Sequence, residues 1–182
     1  MTSADATANV LGALATAVAD RSAEAVATAA GQSLSAATAL SALHHFLDRP
    51  TLDDLRRVLG LTPSGAVRLV DRLASYGLVT RGPGGDKRSR SVALTDAGRA
   101  AAERVSAARS RVLAEVLDVL PPADRAVLHD LLSRLMAGVV RTKDGGAWIC
   151  RLCDLDACGR AAGHCPAANA AAEKYGFTPP GP

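Results

Sequence analysis

LTPSGAVRLVDRLASYGLVTRGPGGDKRSRSVALT occupies residues 61–95. It divides at Gly77 into halves with different periods. In the first, Ala66, Leu69, Val70 and Leu73 recur at i, i+3, i+4 and i+7, one face of an α-helix. Thr62 stands before it as N-cap, Pro63 takes the first helical position, and Gly77 ends it. Ser64, Arg68, Asp71, Arg72 and Ser75 fall on the opposite face. In the second half, Leu78 and Thr80, then Val92 and Leu94, read as strand edges around a Gly/Pro-rich tip. That is a β-hairpin whose loop carries Asp86, Lys87, Arg88 and Arg90. Just upstream, TLDDLRRVLG (51–60) predicts a short helix, with Thr51 and Asp54 spaced as a capping box and Gly60 as the stop. Two helices joined by a short glycine-containing turn form a helix-turn-helix.

Helical spacing extends outward in both directions. An alanine-rich helix is expected over 6–30, with Leu11, Leu14 and Val18 in step, ended by Gly31. A second covers 34–47 and is stopped by Pro50, because the residue before proline is pushed out of the helical region. Thr95 caps a long helix to about residue 120, and Pro121-Pro122 breaks it. A last helix carries Val127, Leu128, Leu131, Leu132, Leu135 and Val139, followed by a KDGG joint at 143–146. The fold class is mainly α with one small β-hairpin.

Composition agrees. Aromatics are 3% of the 182 residues, so the core must be built from Leu, Val and Ala, which favours helices. No Lys or Arg precedes Arg21, so no secretory signal is expected, and the apolar stretch 6–19 is shorter than the roughly 20 residues of a membrane span. The expectation is a cytoplasmic protein with no membrane partner. Residues 51–111 hold 12 Lys and Arg against 6 Asp and Glu, whereas the other 121 hold 9 and 12. A basic middle on a near-neutral chain fits a polyanion partner, although a solvated arginine-rich face would give the same count. A helix with an apolar back and a front of Ser and Arg can enter a major groove, where Arg bonds guanine acceptors bidentately. A cationic hairpin tip suits the minor groove or the backbone.

These residues in this order resemble the winged helix-turn-helix core of the MarR family. The likeness rests on SGAVRLVDRL, then GLV, then Asp86-x-Arg88, then Val92-x-Leu94-Thr95-x-x-Gly98. It is close over residues 61–105 and extends in element order over roughly 5–141. The resemblance implies a dimeric transcription regulator, usually a repressor, on a near-palindromic double-stranded operator. It implies dimerisation through 8–30 and 99–141, a recognition helix at 63–75 and a wing at 80–92. On it, Ser64, Arg68, Arg72 and Ser75 are DNA-reading candidates, and Asp86 orients Arg88 by a salt bridge while Lys87 and Arg90 serve phosphates or the minor groove. The implied division is 1–50 for N-terminal dimerisation and support, 51–98 for the DNA-binding lobe, and 99–142 for C-terminal dimerisation helices. A cysteine-rich metal-binding segment at 147–170 and a flexible tail at 171–182 follow.

All four cysteines, Cys150, Cys153, Cys158 and Cys165, lie in CRLCDLDACGRAAGHCP, spaced C-x2-C-x4-C-x6-C. Thiolates suit zinc or an iron–sulfur cluster. Structural zinc more often uses two C-x2-C knuckles, and only one is present. A single compact run closing on Cys-Pro is nearer to cluster ligation, so an iron–sulfur cluster is preferred over Zn(2+). A Cys150–Cys153 disulfide switch and inert buried thiols are the remaining alternatives. His164 stands beside Cys165 as a substitute ligand or a bystander. The family resemblance says nothing about this segment.

The leading expectation is therefore a DNA-binding regulator whose grip responds to a metal or redox state at these cysteines. The alternative is a regulator responding to a small phenolic ligand, with structural zinc in its tail and His44, His45, Phe46 and Arg49 near the pocket. A thiol oxidoreductase is disfavoured, because no βαβ pattern surrounds the C-x2-C pair. The chain is not expected to be an enzyme.

Overall fold

Alanine decides how closely the first helices sit. In the computed structural model, which describes residues 3–83, 90–140 and 148–176, α1 (Ser3–Ala30) and α2 (Leu34–His45) pack against each other and against α5 (Asp96–Leu117). Ala36, Ala37, Thr38, Ala39, Leu40, Ser41, Ala42 and Leu43 of α2 are all buried, so neighbours surround this helix. Ser33 caps it by accepting the Ala36 N–H. The helix stops at His45, two residues before its expected end at 47. The cause is the next segment: Arg49 turns into the left-handed region (φ +46°) and directs Pro50 so that its carbonyl accepts the Val92 N–H at 2.9 Å.

Thr51 and Asp54 complete the capping box that starts α3 (Leu52–Leu59). Thr62 caps α4 (Pro63–Ser75) by accepting the Gly65 N–H at 3.1 Å, and Thr95 caps α5 through the Gly98 N–H at 3.0 Å. Between α4 and α5 runs the antiparallel pair β1 (Val79–Pro83) and β2 (Arg90–Leu94), in the register Val79↔Leu94 through Pro83↔Arg90. The strands are longer than the alternation at 78–80 and 92–94 predicts. The shared core joins Leu40, Leu55, Leu69, Val70, Leu73, Val92 and Val105. Fully burying a leucine contributes about 1.5–3 kcal/mol, and Leu40, Leu55 and Leu73 are each wholly inaccessible.

One glycine is set by close approach. A Cβ on Gly98 would stand 1.9 Å from the Leu78 carbonyl oxygen, so the first turn of α5 lies directly on the chain entering β1. The same carbonyl accepts the Thr95 N–H at 3.1 Å.

α6 (Pro122–Val139) differs from the other helices: none of its residues is buried, and Val127, Leu131, Leu132, Leu135 and Val139 are 47–61% exposed. Val10, Leu11 and Leu14 of α1 are exposed as well. A seventh helix, α7 (Pro166–Tyr175), packs on the end of α6. Ala167, Ala168, Ala170 and Ala171 bury themselves there with Val140 and Cys165. The Tyr175 hydroxyl donates to the Val140 carbonyl at 3.2 Å, and the Lys174 ammonium bonds the Ala137 carbonyl. α7 runs across the expected boundary at 170/171, so order continues past the start of the expected tail. Pro166 opens this helix and alanine sustains it. The sequence 178–182 lies outside the described residues.

Candidate nucleic-acid interface and cysteine cluster

α4 presents its two faces as the spacing predicts. Ala66, Leu69, Val70 and Leu73 are buried, and Ser64, Arg68, Arg72 and Ser75 are exposed. Val67 joins them at 42% exposure. Helical spacing alone did not single it out, and its methyl groups suit contact with thymine. The Ser75 hydroxyl donates to the Arg72 carbonyl at 2.8 Å, so its proton is already used. The Ser64 hydroxyl stands 3.4 Å from that of Thr62.

Ion pairing sorts the arginines of this lobe. Asp53 holds both Arg56 and Arg57, and Asp96 holds Arg99. The hydrogen bond from Arg56 keeps the Asp53 carboxyl below its usual range. Asp71, the one acidic group on the exposed face of α4, is engaged by Arg81 of β1 at 2.6 Å. Arg68, Arg72 and Arg90 have no ion pair among the described residues. Two free guanidinium groups thus stand one helical turn apart on a face whose only carboxylate is neutralised.

The Asp71–Arg81 bond also fastens α4 to the hairpin. The family resemblance placed the orienting pair at Asp86 and Arg88, and these, with Lys87, lie outside the described residues. A signal for Arg81 was present, because an aspartate on the exposed face between Arg68 and Arg72 needs a cation to neutralise it if that face is to meet a polyanion. Arg81→Ala is expected to weaken operator binding about five- to tenfold by freeing a carboxylate beside the phosphates. Adding Asp71→Asn should restore most of that affinity. Fluorescence anisotropy over the four-protein cycle measures the coupling, and additive effects would contradict the pairing.

The cysteine segment folds into turns, with the Cys153 N–H bonding the Cys150 carbonyl at 2.8 Å. No disulfide joins its four cysteines. The Cys150 thiol hydrogen-bonds those of Cys153 and Cys165, and Cys158 bonds Cys165. Donation from Cys150 draws Cys165 down to about 5, against burial and with help from the Ala168 and Ala167 N–H groups at the start of α7. Cys150 is the alternative partner of Cys153, whose thiol is lowered to about 7 with Arg109 assisting. Cys150 itself is pushed up by those two bonds and by burial, although Arg160 Nη1 lies 3.2 Å from its sulfur. Burial, and then Cys165, raise Cys158. Among the described residues no three His, Cys, Asp or Glu are grouped to hold a metal ion. The thiols bond one another, and ligation would need their protons to leave and the sulfurs to turn. The donor types suit a soft cation: Cys150 neighbours Cys153 and Cys165, Cys158 neighbours Cys165, N–H groups face Cys165 and Cys158, and Arg160 and Arg109 would offset negative charge. His164 packs beside Gly159.

Of the four residues expected near a ligand pocket, His44 and Arg49 line an open cleft of about 370 Å3 with Leu43, Leu47, Asp48, Ala93, Leu94 and Arg99. His45 turns away to Ser106, with Nε2 2.8 Å from its hydroxyl, and burial lowers its pKa. Phe46 does not line the cleft. The sheet formed by the described residues is a single two-stranded hairpin, and the C-x2-C pair lies in turns, not between a strand and a helix. Among the described residues no helix is long and apolar enough to cross a membrane.

Residues 30–89 match the model of the MarR family. No match is found among curated proteins. Solved structures share the fold. RV1404 from Mycobacterium tuberculosis superposes with a TM-score of 0.67 at 25% identity, covering 78% of this chain and 97% of that one. A MarR family protein from Bacillus stearothermophilus gives 0.64 at 26%, covering 74% and 95%. A variant of S. aureus MepR bound to an oligodeoxyribonucleotide gives 0.56 at 15%, covering 73% and 97%. The helices and hairpin described above share the fold of MarR-type winged helix-turn-helix proteins, whose family model matches residues 30–89.

Proposed function

We propose that the chain is a homodimeric transcriptional regulator, acting as a repressor, that reads a near-palindromic operator with α4, and that a metal centre at Cys150, Cys153, Cys158 and Cys165 modulates its grip. The observation that carries the DNA reading is the exposed face of α4, where Arg68 and Arg72 have no ion pair among the described residues and Asp71 is neutralised. Ser64, Val67 and Ser75 complete that face, and Arg90 leads back from the hairpin tip. The MepR variant, of the same fold, is bound to an oligodeoxyribonucleotide. A second copy is the natural occupant of the apolar surface of α6 and the start of α1, since α6 buries no residue within the protomer. A two-fold dimer would set two α4 helices about 34 Å apart, one turn of DNA.

A soft cation held by the four cysteines supplies a cross-link within the segment and, as an iron–sulfur cluster, an electron-accepting centre. An iron–sulfur cluster is the preferred occupant, on the compact spacing and the closing Cys165-Pro166, with Zn(2+) second. The chain's own part is to ease proton loss from Cys153 or Cys165, to which Cys150 can donate, and to bury Cys150. Purification without oxygen should give a brown protein with iron and acid-labile sulfide, whose visible absorption bleaches on reduction. A colourless protein with one zinc per chain would leave the regulator and remove the cluster. The second reading, response to a small phenolic ligand with structural zinc, is favoured by the cleft, where His44, Arg49 and Arg99 offer polar contacts.

A further inference from the structure

Trp148 is the single tryptophan of the chain, and the metal-responsive regulator reading gives it no role. Its indole edge lies against Gly60: a Cβ built there would meet Nε1 at 3.2 Å and Cδ1 at 3.8 Å. Gly60 is the left-handed cap of α3 (φ +65°). Only Leu61 separates it from Thr62, which caps α4. The tryptophan therefore touches the turn that fixes where α4 begins. Arg151 lies over its ring, with its guanidinium 4.0 Å from the ring centre and Nη1 bonded to the Trp148 carbonyl at 2.7 Å. Arg151 lies between Cys150 and Cys153, so this contact belongs to the C-x2-C turn.

The neighbouring residues extend this contact in two directions. Leu152 packs on the main core, as do Leu59 and Leu61 on either side of Gly60. Ile149 packs with Cys158 and Cys165 on the cluster formed by the ends of α6 and α7. The segment thus joins the unburied helix α6 to the helix-turn-helix turn, with the thiols between them. The sulfurs need to turn to bind a cation, and Trp148 is two residues from the nearest of them.

We infer that Trp148 is a positioning residue that transmits the state of the cysteine cluster to α4 by pressing on the Gly60 turn. This rests on the reading that a metal at the four cysteines modulates DNA binding. Trp148 is 40% exposed, so its removal leaves the core intact.

The test uses full-length protein purified without oxygen with its metal intact, and the same protein stripped by EDTA under reducing conditions. Operator affinity, metal content and tryptophan emission are measured in both states. In the wild type, stripping should change operator affinity by about tenfold and shift the emission of Trp148. Trp148→Ala should keep its metal but show less than about a threefold difference between the two states. Trp148→Phe, which retains an aromatic edge against Gly60, should recover most of the response. A wild type that responds, with Trp148→Ala responding equally, overturns the role of Trp148 and leaves the regulator standing. A wild type that holds no metal, or binds the operator equally in both states, removes both.

Discussion

Gly98→Ala is expected to destabilise the fold by about 3 kcal/mol or more, the upper range for inserting a methyl group into a packed site. The added Cβ would meet the Leu78 carbonyl oxygen at 1.9 Å and the Leu94 side chain at 3.1 Å. The first of these atoms is backbone, so no rotamer change relieves the clash. Leu78 has little freedom to retreat, because its N–H bonds the Leu73 carbonyl at 2.9 Å and its own carbonyl holds Thr95. Relief would have to pull the end of α4 away from the start of α5. For a chain of this size about 3 kcal/mol lowers the melting temperature by roughly 6–12 °C. Thermal unfolding followed by circular dichroism measures it, and a variant melting within a degree or two of the wild type would contradict the packing described.

Replacing both Arg68 and Arg72 by alanine should cost operator binding about 2–6 kcal/mol, at about 1–3 kcal/mol for each arginine that bonds a base. That corresponds to a weakening of about thirtyfold at the least. The two roles open to each arginine separate by salt. If an arginine bonds a phosphate, its removal lowers the slope of log affinity against log salt by about one. If it bonds a base, its removal keeps the slope and flattens the preference for operator over random duplex. Neither arginine touches the core, so the melting temperature should hold. Undiminished operator affinity in the double variant would remove α4 as the reading helix.

The parts legible in the sequence are those fixed by short-range chemistry. Thr51, Thr62 and Thr95 cap the helices they were expected to cap, because a hydroxyl reaching an N–H two or three residues ahead needs no distant partner. The back of α4 is buried as its spacing predicts. What stayed hidden depends on approach between distant segments. Asp71 and Arg81 meet only once the hairpin folds against α4. Trp148 reaches Gly60 across 88 positions of chain. α7 was masked by its own setting: PAANAAAEKY sits between four cysteines and a proline-rich end, yet it is a good helix once Pro166 starts it. The early end of α2 likewise came from Pro50 needing to meet Val92. Spacing brings the four cysteines into one segment, but which of the sulfurs neighbour one another depends on how its turns fold.

The bare surface of α6 has a consequence for how the regulator would be dosed. If the chain pairs as proposed, a helix with no buried residue in its own protomer would draw stability from the partner, so melting of the paired helices would depend on protein concentration by mass action. α7 rests on that same helix, and Cys165 is the residue from which α7 begins. Below the dissociation constant of the dimer, a newly made chain would hold its thiols on an unsupported platform. Copy number would then act ahead of any chemical signal, with sensing switched on only once enough protein has accumulated to pair.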